Sequence, residues 1–158
     1  MKHIAIVVVV ATAFVLGIAP KARAGEDEQC SSAKLRGGFG YTGTGTLLEP
    51  FVEPPLAGPF AEVGRQTFDG HGNTQATATL SANGNITPVT IEGTYAVNLA
   101  CTGSMTLNIS FPDGSQATVH ADLVIDDDAA EFRAIVTEAG VIESRVYKKQ
   151  FREDRKED

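Results

Sequence analysis

The stretch TGSMTLNISFPDGSQATVHADLVI (residues 102–125) decides the fold class of this chain. Apolar residues such as Met105, Leu107 and Val119 alternate with polar ones in two runs, and Pro-Asp-Gly at 112–114 separates the runs. Alternation with a period of two is typical of a strand that is buried on one face. A tight turn between two such strands predicts an antiparallel hairpin.

The same pattern extends in both directions along the chain. We predict eight strands, over residues 37–47, 60–68, 74–82, 86–98, 102–111, 117–125, 131–137 and 141–149. Most of the connections are short turns such as Asn83-Gly84, which can join antiparallel neighbours but not parallel ones. The predicted fold is all-β, an eight-stranded antiparallel up-and-down β-barrel, because closure removes exposed sheet edges. An open sandwich is the alternative.

Glycines interrupt the first predicted strand. Gly43 and Gly45 alternate with threonines at 42, 44 and 46. A glycine inside a strand marks either a sharp bend or a place where another group approaches the backbone. The connection that follows, residues 49–59, holds four of the seven prolines and is predicted to fold over one end.

The first 24 residues are typical of a cleavable secretory signal peptide. Lys2 provides a basic start, residues 4–18 are apolar, and Ala22-Arg23-Ala24 fits a cleavage site. The apolar run is shorter than the roughly 20 residues of a membrane-spanning helix, so we expect cleavage and no stable membrane insertion afterwards. An uncleaved anchor is the alternative. A single domain over residues 25–150 and a charged tail over 151–158 are predicted to follow.

The charge of the exported chain argues against nucleic acid as a partner. Cleavage removes three of the 13 basic residues and none of the 20 acidic ones, which leaves a net charge of −10. A chain of this sign repels phosphate backbones. Nothing in the sequence indicates the oligomeric state.

Two cysteines, Cys30 and Cys101, remain after cleavage. In an oxidising compartment such a pair is predicted to form a disulfide, and closing a loop of about 70 residues stabilises a fold by roughly 4 kcal/mol in the chain-entropy model. Two free thiols or a metal pair are the alternatives. No metal-ligand spacing accompanies either cysteine, and no cofactor is indicated.

The sequence contains no recognisable catalytic motif. There is no Gly-x-Ser-x-Gly element, and the glycine-rich stretch 37–45 is not followed by the helix that a phosphate site requires. His71 falls in a hairpin tip, where an exposed residue is expected. His120 and Glu92 are candidates for a single catalytic acid or base, provided that their strand faces line the barrel lumen; a solvent-facing strand residue is the alternative.

Three motifs carry a resemblance to a known group. The chain resembles small secreted bacterial proteins of unassigned function in the motifs LRGGFGY (35–41), GRQTFDGHGN (64–73) and GTYAVNLACTG (93–103). That resemblance implies an allene oxide cyclase-like barrel, which is calycin-like or lipocalin-like in shape. It also implies a periplasmic or extracellular location. The cyclase's active-site residues do not map recognisably onto this sequence.

Three functions compete. The leading one is binding of a small, partly apolar molecule in the barrel, because many residues of the alternating faces are small and leave volume inside. We expect ligand contacts from the following side chains: Phe39, Tyr41, Tyr95, Met105 and Phe132. The alternatives are a cofactor-free cyclase or isomerase, and a structural or envelope interaction protein with a solidly packed barrel.

Overall fold

The protein folds as a closed barrel of eight antiparallel strands. The computed structural model describes residues 30–49, 51, 56–126 and 129–150. The strands pair in chain order, and the last returns to pair with the first. They are β1 (Arg36–Leu47), β2 (Gly58–Asp69), β3 (Asn73–Ala82), β4 (Asn85–Val97), β5 (Thr102–Ser110), β6 (Gln116–Asp126), β7 (Glu131–Val136) and β8 (Val141–Lys149).

The eight predicted strands are confirmed, each to within two residues at either end. The open sandwich is wrong, because β1 and β8 are hydrogen-bonded to each other and close the sheet. The predicted signal peptide (1–24) and the charged tail (151–158) lie outside the described residues, as does part of the connection between β1 and β2.

Side chains alternate between the barrel interior and its outer surface. On β6, for example, Val119, Ala121 and Leu123 are buried, whereas the intervening His120 and Asp122 are exposed. This alternation is what the pleat of a half-buried strand requires. The core is therefore the interior of the barrel.

One end of the barrel, which we call the closed end, is filled by aromatic rings. We call this group of rings the aromatic plug; it consists of Phe39, Phe68, Tyr95, Phe132 and Tyr147. Phe132 stacks on Tyr147 with their ring centroids 4.1 Å apart, and Phe68 makes edge-to-face contacts with the other four rings at 5.0–6.3 Å. These geometries add to the stabilisation from apolar burial.

A short segment before β1 covers the closed end. It contains a 3-10 turn, Ser32–Lys34, and the fully buried Leu35. The Tyr95 hydroxyl donates to the Leu35 carbonyl (2.7 Å) and accepts from Gly70 N (2.9 Å), which fixes the segment to the barrel.

The Cys30–Cys101 disulfide also holds this segment. It joins the segment to the turn before β5, with the two Cα atoms 5.0 Å apart. The predicted bridge is therefore confirmed, and the alternatives of free thiols or a metal pair are wrong.

The glycines of β1 mark close approaches to the backbone. A Cβ at Gly45 would lie 1.8 Å from the carbonyl oxygen of Ile142 on β8. No side chain fits there, so this glycine is required for β1 and β8 to pair. Gly43 is discussed with the site below.

Within the described residues, no helix has the length and apolar character needed to span a membrane.

Candidate ligand-binding site

The end of the barrel opposite the aromatic plug, the open end, contains a cavity of about 830 Å³. Its walls are mainly apolar and include the following side chains: Leu47, Phe60, Leu80, Val89, Phe111 and Val119. Two further depressions, of about 520 and 610 Å³, are lined mostly by outward-facing residues and hold no buried charged group. The interior cavity is therefore the candidate site.

Three charged side chains form the floor of this cavity. They are Glu62 on β2 and Glu143 and Arg145 on β8, and we call them the charged floor. Their side chains are only 5%, 4% and 2% exposed, respectively. Charged groups are rarely buried to this degree unless they are paired, so their arrangement matters.

Arg145 is shared unequally between the two carboxylates. Its Nε and Nη2 atoms donate to Oε1 and Oε2 of Glu143, the second bond being 3.2 Å long. Its Nε also lies 2.9 Å from Glu62 Oε1, but without the alignment of a hydrogen bond. The bidentate pair with Glu143 is the stronger of the two interactions.

Gly43 provides the space for this cluster. In the register of the sheet it lies opposite Glu62 on β2 and Arg145 on β8. A Cβ at this position would lie 2.7 Å from Glu143 Oε1 and 2.9 Å from Glu62 Oε1. The groups that approach β1 at this glycine are thus the two carboxylates.

Several polar atoms of the cluster lack hydrogen bonds. Among the described residues, no partner of suitable geometry is present for Glu62 Oε1, Arg145 Nη1, or the hydroxyls of Tyr41 and Tyr147. The Arg145 guanidinium lies 5.4 Å from the centre of the Tyr41 ring. Unpaired buried polar groups are unfavourable and often mark functional positions.

Burial shifts the acidity of these groups. It raises the pKa of Glu62 to about 8, with the negative charge of Glu143 adding to the effect and Arg145 opposing it. Burial also raises the pKa of Tyr147 to about 12, and that of Tyr41 further. Burial alone would lower the pKa of Arg145, but the surrounding acidic groups outweigh it, so the guanidinium stays charged. At neutral pH the floor therefore holds a protonated Glu62 beside an ion pair.

The five predicted ligand contacts lie elsewhere. All five face the interior and are at most 5% exposed, but none of them borders the cavity. They are Phe39, Tyr41, Tyr95, Met105 and Phe132. They belong to the packed core on the far side of the charged floor. Tyr41, for example, stacks on Tyr147 at 5.0 Å.

Glu92 and His120 lie on the outer surface of the barrel, so the condition under which either could act in the lumen is not met and the solvent-facing alternative holds. The His120 side chain is 57% exposed, and its Nδ1 lies 2.8 Å from Glu138 Oε2. Both residues alternate with buried neighbours, which directs their side chains outward. His71 is exposed at its hairpin tip, as expected.

Sequence reasoning missed Glu62, Glu143 and Arg145. A signal was present on β8, where Glu143 and Arg145 fall in phase with the apolar Val141 and Tyr147. Charged residues in the inward phase of a strand are unusual enough to be noticed. Within the described part of the chain, no group of three or more His, Cys, Asp and Glu residues is placed to hold a metal ion.

Comparison with known proteins does not identify a function. No protein-family model matches this chain, and no curated protein is similar to it. One solved structure, described as a redesigned β-barrel, is 16% identical with a TM-score of 0.49, and the match covers 76% of this chain and 95% of that one. Function therefore has to be inferred from the cavity itself.

Proposed function

We propose that this protein is an exported carrier that binds a small, partly apolar molecule in the open end of its barrel. The observation that carries this proposal is the cavity of about 830 Å³ with apolar walls and a charged floor. Small-molecule sites usually have about 300–1,000 Å³ and combine apolar walls with a few polar groups. An eight-stranded barrel is wide enough to hold one such ligand.

Export is supported by two independent features. The disulfide between Cys30 and Cys101 is of a kind that persists in oxidising compartments. The pattern of residues 1–24 predicts a signal peptide. Periplasmic and extracellular locations fit both features equally.

A cofactor-free cyclase or isomerase is the second candidate. The observation in its favour is Glu62, a buried acid whose pKa is raised to about 8 at the floor of a cavity. Acids tuned in this way serve as proton donors and acceptors near neutral pH. The resemblance to allene oxide cyclase-like barrels bears on this enzyme candidate and not on the carrier proposal.

Native mass spectrometry of the protein exported by its own host tests the carrier proposal. We expect an extra mass that matches one molecule recovered by organic extraction. Incubating that molecule with fresh protein should return it unchanged; conversion to an isomer would favour the enzyme instead. A clean ligand-free mass, together with no binding of octylamine, 1-octanol or octanoate by calorimetry, would refute the proposal.

Two neighbouring positions on β6 provide a matched test of the site. Val119 borders the cavity, whereas Thr118 points outward. Val119→Trp should weaken 1-octanol binding by about tenfold because the indole occupies ligand space, and Thr118→Trp should bind as the wild type does. Equal binding by the two variants would place the ligand outside the barrel.

A further inference from the structure

The charges that border the cavity are unbalanced. Among the described lining residues, three carboxylates, those of Glu62, Asp113 and Glu143, face one guanidinium, that of Arg145. Asp113 lies at the mouth, where hydrogen bonds from Ser115 lower its pKa and keep it charged. Once Glu62 is ionised, the cavity therefore carries an excess of negative charge from its mouth to its floor.

Glu62 is the carboxylate that the cluster leaves without a full partner. Arg145 gives both of its carboxylate hydrogen bonds to Glu143, and Glu62 Oε1 accepts none. The Glu62 side chain is nonetheless 5% exposed and borders the cavity. Within the described residues Glu62 thus shares its one neighbouring cation, Arg145, with Glu143, which holds the larger share.

The groups that face Glu62 give it no other cation. They are Tyr41 on β1 and Glu143, Arg145 and Tyr147 on β8, and β3 presents the uncharged Leu80 opposite Glu62. Burial and the charge of Glu143 raise the pKa of Glu62 to about 8, so in the empty site a proton compensates its charge. A bound cation could replace that proton.

We infer that the ligand of this cavity is a cationic amphiphile, an amine on an apolar chain, whose ammonium group sits at the charged floor beside Glu62. The inference rests on the proposed carrier function and names its ligand class. On binding, Glu62 releases its proton to solvent, and the carboxylate then pairs with the ammonium group. The apolar chain extends along the walls toward Phe111 at the mouth.

Other head groups fit the floor less well. An anion would meet the carboxylates of Asp113 and Glu143, and that of Glu62 as well above its pKa of about 8. The only guanidinium bordering the cavity within the described residues is already bound by Glu143 in bidentate fashion. A neutral hydroxyl would gain the apolar contacts but no charge compensation. Like charges brought together in a dry site are strongly unfavourable, which disfavours the anion most.

Isothermal titration calorimetry with three probes of equal chain length tests the inference. The probes are octylamine, 1-octanol and octanoate. At pH 9 we expect octylamine to bind about tenfold more tightly than 1-octanol, and octanoate to bind most weakly. The amine stays protonated throughout this range because alkylammonium groups titrate near lysine, at about 10.4.

The released proton provides a second readout. The affinity for octylamine should rise about tenfold between pH 7 and 9 and should stop rising once Glu62 is fully ionised. The affinity for 1-octanol should not change over this pH range. At pH 7 the binding enthalpy of the amine should vary with the ionisation enthalpy of the buffer, in the sense of proton release.

Glu62→Gln is the decisive variant, because an amide imitates the protonated acid without being able to ionise. It should lose the preference for octylamine over 1-octanol. Glu92→Gln, on the outer surface of β4, is the matched control and should keep that preference. If Glu62→Gln does not fold, the pH dependence of the wild type decides alone.

The outcomes separate the two proposals. Equal affinity for octylamine and 1-octanol, or tightest binding of octanoate, would overturn the cationic ligand and leave the carrier function standing. Failure of all three probes to bind would overturn the carrier function as well.

Discussion

The two ends of this barrel are built from the same eight strands but are filled differently. At the closed end the aromatic plug occupies the interior, and ring contacts join adjacent strands, such as β1 and β2, as well as strands that are not adjacent, such as β2 and β7. At the open end Phe60 and Phe111 border a cavity instead. The difference indicates that one end supplies stability while the other keeps space for a ligand. Binding sites commonly occupy the less densely packed part of a domain.

Two phenylalanines on β2 provide the most direct test of this contrast. Phe68 is enclosed by four rings of the plug, and Phe60, also buried, borders the cavity. Phe68→Ala should lower the free energy of unfolding by about 4 kcal/mol, because it opens a new void. Phe60→Ala should lower it by about 2 kcal/mol, because its ring already faces empty space. Urea denaturation measures both; equal losses would contradict the division between the ends.

The disulfide should matter next most. Replacing Cys30 and Cys101 together by serine should lower the free energy of unfolding by about 3–4 kcal/mol, since a bridge over 71 residues restricts the unfolded chain. Below its melting temperature the variant should still bind 1-octanol, because the bridge lies at the closed end. Thermal unfolding and calorimetry provide the two measurements. A folded variant that had lost 1-octanol binding would show that the two ends are coupled.

The charged floor predicts an unusual dependence of stability on pH. Glu62 has a pKa of about 8 in the folded protein, against an ordinary value of 4.5 in an unfolded chain. The folded state therefore holds the proton more tightly. Its contribution is fully present below pH 4.5 and is lost as the pH rises through about 8. A pKa change from 4.5 to about 8 corresponds to at most about 5 kcal/mol. Relaxation and water entry around the ionised carboxylate reduce this cost, so we expect a decrease on the order of 2 kcal/mol across this window, measured by urea denaturation at a series of pH values.

Glu62→Gln should remove this decrease, and a variant with an unchanged slope would assign the effect to another group. Asp69 supplies an internal reference. Hydrogen bonds from Asn73 and the His71 backbone lower its pKa to about 2, so its contribution is lost only as the pH falls from about 4 toward 2.

The smallest effect is expected on the outer surface. His120→Ala removes an exposed contact with Glu138 and should change the free energy of unfolding by less than about 0.5 kcal/mol. It should also leave 1-octanol binding unchanged in calorimetry. Loss of binding in this variant would mean that the outer face of β6 takes part in ligand recognition.

The fold could be predicted from the sequence because its signals are local. Alternation defines each strand, and turns such as Asn83-Gly84 define where each one ends. The disulfide followed from two cysteines and an oxidising compartment. None of these inferences required knowledge of which strands lie side by side.

The candidate site could not be predicted in the same way, because it depends on register. Glu62 and Arg145 are more than 80 residues apart in sequence, and both lie opposite Gly43 only in the closed barrel. A charged residue in a strand is normally expected to face solvent, and this expectation conceals inward-facing charged residues such as Glu62. Gly43 indicated that some group approaches β1 but not which one.

The closed end is also where the barrel's chain enters and leaves. β1 starts there at Arg36, and β8 finishes there at Lys149, beside Phe39 in the sheet register. A tag, tether or fused domain attached beyond either strand would therefore depart from the side away from the cavity mouth. Immobilised through such an attachment, the barrel would present its mouth to the surrounding solution, an orientation suited to a surface-coupled sensor.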